Sequence, residues 1–284
     1  MTPIDLADTT WIVTGASSGL GRLTTERLLA TGARVAAVVR RPDALDDLRD
    51  DAGDRLLVGV ADVTDAAAVR AAVDGAFARF GRVDVVLSNA GYGLFCSVEE
   101  ASDDQVEQQL RTNVLGSMHV VRAALPHLRR QGGGRVLQVS SAGGQTTYPG
   151  FSYYHASKWA IEGFCQTLAL ETAPFGIATT IVEPGATGTG FAAALVTAPV
   201  LEAYEDTPAG HVRRLVTSGE FPVPGDAGKV VDAVLEVVAS GRTPLRLPLG
   251  PDTYADVRAD LRARLEELEA QREVALSTAA TAGA

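Results

Sequence analysis

The chain has 284 residues, 46% hydrophobic and 21% charged, which supplies a sizeable core and excludes a disordered chain. Its 35 acidic against 25 basic residues give a net charge of −10, which argues against nucleic acid and anionic membrane as partners. Cys96 and Cys165 lack metal-ligand spacing and read as reduced, buried thiols; no apolar run spans a bilayer, and the first residues do not form a secretory leader. A cytoplasmic chain without a metal site is expected.

The elements then follow in order. Trp11 to Thr14 reads as a strand, Leu20 to Ala30 as a helix, Arg34 to Val39 as a second strand and Asp43 to Arg49 as a helix. Arg55 to Val60 is a third strand, Asp65 to Arg79 a helix, Val83 to Leu87 a fourth strand and Asp103 to Arg130 one long helix. Arg135 to Val139, a helix from Tyr153 to Ala173, and Ile177 to Val182 complete the alternation. The strands are continuous apolar runs, so both faces of the sheet are covered and the strands are parallel. Strict strand–helix alternation gives a doubly wound α/β fold in one domain, a sheet of about seven strands with helices on both faces. Beyond Pro184 the pattern lapses into a proline-rich segment, Gly188 to Gly228, expected to cover the substrate. A helix from Asp226 to Ala239 and an edge strand from Pro244 to Pro248 follow. Tyr254, Val257, Leu261, Leu265 and Leu268 then keep helical spacing, and 277–284 is expected to fray.

Between the first strand and helix lies Thr14-Gly-Ala-Ser-Ser-Gly-Leu-Gly21. Gly15, Gly19 and Gly21 permit a tight turn, and the amides at the helix start suit a pyrophosphate. Ser17 also completes a Gly-x-Ser-x-Gly pattern, which keeps a serine hydrolase as a rival reading, although that elbow follows later strands in hydrolases. Tyr154 and Lys158 are four apart at the start of a helix, so phenol and ammonium share one face. A nearby cation favours the phenolate and is expected to lower the tyrosine pKa. Tyr153 and Tyr148 are out of register with the lysine. Ser140 and Ser141 end the fifth strand at the carboxyl edge, where ligands bind in such sheets. Asn113 falls within the long helix, where an asparagine is locally unfavourable, and a tertiary role is expected of it.

Thr14 to Gly21, Asp62-Val63, Asn89-Ala90-Gly91, Asn113, Ser141, Tyr154 with Lys158 and Pro184-Gly185, in this order over about residues 8 to 190, resemble the short-chain dehydrogenase/reductase family. The resemblance implies a Rossmann-type domain and an oxidoreductase that moves hydride between a nicotinamide and a carbonyl or alcohol. It implies Tyr154 as the acid/base, Ser141 as the group polarising the carbonyl, and Lys158 as the group that holds the nicotinamide ribose and depresses the tyrosine pKa. Asn113 would hold a water linking Lys158 to solvent. Gly15, Ser17, Ser18, Gly19, Leu20 and Gly21 would cradle the cofactor; Asp62 and Val63 would contact adenine. Asn89, Ala90 and Gly91 would line the cleft, and Pro184, Gly185, Thr187 and Thr189 would complete it, Thr189 at the carboxamide. The length of the covering segment is loosely similar to the retinol and 17β-hydroxysteroid dehydrogenase branch. The family also implies a homodimer or homotetramer, and Val114, Leu115, Met118, Val121 and Leu125 are the apolar residues expected at its helical interface.

Val39 ends the second strand, where an acid would bind ribose hydroxyls, and Arg40 and Arg41 follow. Two guanidiniums and no acid favour a 2′-phosphate, so NADP(H) is expected over NAD(H), with Ser17 as a further contact. A dinucleotide sensor without catalysis is the other alternative, since a fold does not fix a function.

Overall fold

The structure is a computed structural model and describes residues 2–280. The strands of the main sheet are β1 (Thr10–Thr14), β2 (Arg34–Val39), β3 (Leu56–Val60), β4 (Val85–Ser88), β6 (Gly134–Val139), β7 (Ile177–Pro184) and β9 (Arg246–Leu249). Two short strands, β5 (Leu94–Phe95) and β8 (Val196–Thr197), pair separately. The helices are α1 (Gly19–Thr31), α2 (Asp46–Ala52), α3 (Ala66–Phe80), α4 (Asp103–Leu110) and α5 (Ser117–Arg130), then α6 (Ser152–Thr172), α7 (Pro208–Ser218), α8 (Ala227–Ala239), α9 (Pro251–Ala270) and α10 (Arg272–Ser277).

The seven strands pair in the order β3-β2-β1-β4-β6-β7-β9, all parallel. This is the doubly wound, Rossmann-like α/β fold that the alternation predicts. Successive strand residues face opposite layers. Trp11, Val13, Val35 and Ala37 pack with Leu28 of α1 and Val231 and Val234 of α8, whereas Ile12, Ala36 and Val38 pack with Val69 and Val73 of α3 and Val120 of α5. Both faces are therefore dry, which is why these strands lack polar alternation. Pro248 sits on the edge strand β9, opposite Glu183, where its missing N–H costs no ladder bond.

One expectation needs correction. The helix from Asp103 to Arg130 is not continuous: a π-helical turn, Arg111–Gly116, separates α4 from α5. The extra residue turns Asn113 inward, and its amide binds the backbone of Tyr92 on both sides (Oδ1 accepts from N at 3.1 Å, Nδ2 donates to O at 2.9 Å). The spacing of Tyr254, Val257, Leu261, Leu265 and Leu268 does form a helix, α9. Val257 is buried, but Tyr254, Leu261, Leu265 and Leu268 are exposed. The expectation of a frayed tail lies partly outside the described residues; within them, α10 continues to Ser277.

The covering segment is fastened to the body by Glu100, a buried carboxylate just before α4. It accepts from Ser97 N (2.7 Å), from Leu201 N (3.0 Å) and from the Arg213 guanidinium of α7 (2.7 Å). These donors hold its carboxyl below the usual range against the opposing effect of burial. Arg213→Ala leaves this carboxylate without its cation, so we expect a loss of about 2–3 kcal/mol in denaturant unfolding. Proteolytic cutting between residues 188 and 228 should rise with it. An unchanged midpoint and digestion pattern would remove the pair as the anchor.

Candidate active site

The ends of β1 and β4 meet in a clasp. The buried Thr14 hydroxyl accepts from Asn89 N (2.9 Å) and Ala90 N (3.1 Å), and Asn89 Nδ2 donates to Thr14 O (3.0 Å). Gly15 runs at φ +66° with Ala90 Cα only 2.9 Å from where its Cβ would be, and a Cβ on Gly21 would strike the Gly15 carbonyl and the Asn89 amide. The turn therefore lies against the next strand at a distance only glycine allows. Gly19, at φ +54°, opens α1. Ser18 is the helix N-cap, yet its side chain makes no capping bond, and Ser17, Ser18 and Gly19 are exposed. First-turn amides left free of a side-chain cap, in a cradle a Cβ would fill, fit a phosphate group. Among the described residues, Ser17 has no hydrogen bond to a histidine, so the hydrolase elbow lacks its base.

Arg40 and Arg41 follow β2 and are exposed, and neither forms an ion pair among the described residues. Asp62 faces Arg40 and accepts from Thr64 N (2.9 Å) and Oγ1 (2.8 Å); these bonds, with Arg40, hold its carboxyl below its ordinary value. Val63 is buried against the Cβ-free side of Gly116. Thr189 lies across the cradle, its Cβ 4.0 Å from the position a Cβ on Gly19 would take. Gly185 donates its N–H to Leu249 O (2.9 Å), and the Thr187 hydroxyl donates to Gly185 O (3.0 Å). Pro184 to Thr189 thus leaves the sheet over the glycine turn.

Helix α6 brings Tyr154 and Lys158 together as their spacing requires: Lys158 Nζ stands 5.6 Å from the Tyr154 ring centre. Both are buried, and Nζ donates to Val139 O at 3.1 Å. The other two phenols are occupied elsewhere, Tyr148 on Asp256 (2.7 Å) and Tyr153 on Val98 O (2.8 Å). Ser141 Oγ accepts from Gly143 N (3.1 Å), which leaves its proton free to donate. Among the described residues no hydrogen bond joins Asn113 to Lys158. Its amide clasps Tyr92 and donates to Ser157 Oγ (3.1 Å), one residue before the lysine.

The electrostatics depart from expectation. Burial pushes the Tyr154 phenol up to about 12, and the nearby Ser141 hydroxyl pulls it back only in part. Lys158 is pushed down to about 8 by burial, with the charge of Glu162 opposing that fall. Removal from water dominates, and the phenol keeps its proton at neutral pH.

Several neighbours carry no sequence signature. Phe191 of the covering segment stands 5.6 Å from the Tyr154 ring and Phe151 stands 6.0 Å away. A Cβ on Gly93 would meet the Phe191 ring at 2.8 Å, so this glycine lets the segment close. His155 is buried beside Tyr154, Tyr148 and Phe151, and burial lowers it to about 4, which keeps it neutral. Among the described residues, no cluster of three or more His, Cys, Asp or Glu could hold a metal, and no helix is long and apolar enough to cross a membrane.

The family model described as short chain dehydrogenase matches residues 9–199. An oxidoreductase of Botryotinia fuckeliana, BOA17, is 38% identical over 275 residues, covering 95% of this chain and 98% of its own. The crystal structure of a short-chain dehydrogenase from Streptomyces avermitilis superposes with a TM-score of 0.87 at 36% identity, over 96% of this chain and 99% of that one. A short chain dehydrogenase/reductase from Burkholderia phymatum, solved in complex with NAD, gives a TM-score of 0.78 at 25% identity, over 94% and 96% of the two chains. With the glycine cradle, Ser141, Tyr154 and Lys158 in register on this sheet, the chain belongs to the short-chain dehydrogenase/reductase family and is an oxidoreductase of that family.

Proposed function

We propose that this chain is an NADP(H)-dependent oxidoreductase acting on a ketone or aldehyde, or on the corresponding alcohol, in one domain whose segment 188–228 covers the substrate. The observation that carries the reading is the buried Tyr154 phenol between the Ser141 hydroxyl and the Lys158 ammonium, beneath Phe151 and Phe191. When bound, the nicotinamide supplies or takes the hydride. Tyr154, protonated at neutral pH, gives its proton to the carbonyl oxygen as that oxygen gains charge. Ser141 has its proton free for the same oxygen. Lys158 stabilises the phenolate left behind. A sensor would have no use for this arrangement of proton donors. The covering segment extends β5 through its pairing with β8 and seats Phe191 on the tyrosine, an apolar wall that suits an apolar part of the substrate.

The cofactor choice rests on the end of β2. The Burkholderia relative holds NAD, so the family frame alone does not choose. Here Val39 replaces an acid, while Arg40 and Arg41 stand exposed and unpaired among the described residues, available to a 2′-phosphate. Two unpaired, buried cysteines fit a reducing compartment, and we place the chain in the cytoplasm. As an interface, the α4–α6 region is narrower than expected. Val121 is buried within the chain and Val114, Met118 and Leu125 are partly so, while Leu110, Leu115, Trp159 and Leu170 are exposed. We infer a homodimer or homotetramer from these.

Three outcomes test these readings. With NADPH and a panel of ketones followed at the nicotinamide absorbance, Tyr154→Phe should lose at least about a hundredfold in kcat while keeping its fold and cofactor affinity. Near-normal turnover would exclude Tyr154 as the proton donor. Wild type should prefer NADPH over NADH by at least about tenfold in kcat/KM, and Arg40→Ala should abolish most of that preference with little change toward NADH. Equal weakening of both cofactors would refute the assignment. Light scattering at micromolar concentration should report a dimer or tetramer, and a clean monomer would end that inference.

A further inference from the structure

One turn beyond Lys158 on α6 lies Glu162, and beneath it, at the end of β7, lies Glu183. Both are buried, Glu183 completely. Carboxylates are rarely withdrawn from water in pairs without matching cations. Here a single guanidinium serves both: Arg246 of β9 places Nε 3.1 Å from Glu162 and 3.3 Å from Glu183. Gln145 donates to the second oxygen of Glu183 at 2.6 Å, and Gln166 holds the outer nitrogen of Arg246 at 2.9 Å. Glu183 Oε1 has no donor beyond the 3.3 Å approach of Arg246 Nε, and the polar neighbour of Glu162 Oε1 is the buried Ser140 hydroxyl, which has no other partner. Only Arg246 touches both carboxyls, and Lys158, the other cation near Glu162, gives its hydrogen bond to Val139 O; a proton on one of the two neighbouring carboxyls lets it donate to the other.

We propose that Glu162 and Glu183, bridged by Arg246, share one proton, and that Glu162 held in this way sets the charge of Lys158, which makes the pair positioning residues for the proton-transfer site. The second half rests on the role given above to Lys158. The titratable and charged groups facing the pair are Lys158 and Cys165 from α6 and Arg246 from β9; the segment after β6 contributes only Ser140 and Gln145. Cys165 stays a thiol, pushed up by burial and by Glu162. Burial and the Glu162 charge raise Glu183 to about 7. Lys158, lowered to about 8 by burial, is supported by the charge of Glu162. The proton on the carboxyl pair and the proton on the lysine thus leave within the same pH range, and the state of one group conditions the other.

Two measurements on the full chain test this. The first does not involve activity. A carboxyl whose folded pKa lies above its unfolded value adds stability below the unfolded value, and that stability is lost as pH rises through the folded one. The melting temperature of wild type should therefore carry a decline between about pH 5 and pH 7 that Glu183→Gln lacks. Identical pH dependence in the two proteins overturns the shared proton. So does failure of Glu183→Gln to fold, since an amide is isosteric with the protonated carboxyl.

The second is the pH profile of kcat/KM. In wild type the high-pH limb reports loss of the Lys158 proton. Glu162→Gln should move that limb down by at least about one pH unit, Glu162→Asp should restore it, and Glu183→Gln should not lower it. A general loss of rate with an unmoved limb in Glu162→Gln, alongside an inactive Lys158→Met, overturns the positioning role alone. Full activity in Lys158→Met overturns the lysine role instead, while the melting comparison still decides whether the pair shares a proton.

Discussion

The clasp between Thr14 and Asn89 is the contact on which the rest of the site depends. In the strand order β3-β2-β1-β4-β6-β7-β9, chain direction along the sheet reverses between β1 and β4, and a crevice opens at their carboxyl ends. A crevice alone does not fix a ligand. Thr14 with Asn89 and Ala90 ties the two strand ends with three hydrogen bonds and holds the glycine turn where a Cβ at Gly15 or Gly21 would collide. The same residues align β4 so that Tyr92, three residues on, meets Asn113. Through Ser157, Asn113 reaches the turn of α6 that bears Tyr154 and Lys158. The glycine cradle and the Tyr154–Lys158 pair are thus held in one frame by a short chain of backbone and amide contacts.

What could be read from the sequence follows from the range of the interactions involved. The parallel sheet was legible because burial on both faces leaves an unbroken apolar run, and the tyrosine–lysine pair because four residues is one helical turn. The π-helical turn was not, since α-helical periodicity runs through Arg111 to Gly116 and the widened turn is selected by Tyr92, twenty-one residues away. The β5–β8 pair was equally hidden. Each strand is two residues long and exists only through a partner about a hundred positions distant. Spacing gave α9 as a helix, but helical periodicity does not say whether anything covers a face, and only Val257 of its five periodic apolar residues is buried. Of the buried carboxyl pair, only Glu162 had a local cue, its distance of four from Lys158; Glu183 and Arg246 reach it from two neighbouring strands.

The chemistry at Tyr154 turns on a competition between desolvation and charge. Spacing alone predicts a lowered phenol, because a cation a few ångströms away stabilises the anion. The structure adds what spacing omits. Phe151 and Phe191 close over the phenol, and the lysine charge is itself weakened by burial and partly engaged by Glu162. Desolvation then dominates, and the tyrosine rests as an acid. An acid suits the reductive direction, where the carbonyl oxygen must receive a proton.

The covering segment therefore has two physical effects that cannot be adjusted separately. Its anchor, Glu100 with Arg213, keeps it seated, and its aromatic tip supplies an apolar wall. That wall would favour an apolar carbonyl compound by burying its surface. It also excludes water from Tyr154, which holds the proton on the phenol. A more polar wall would admit polar substrates and, by the same solvation, bring the phenol closer to its value in water. The surroundings that would receive an apolar substrate and the pKa of the Tyr154 phenol are for this reason coupled through Phe191 and Phe151, and a polar replacement of either side chain should shift both.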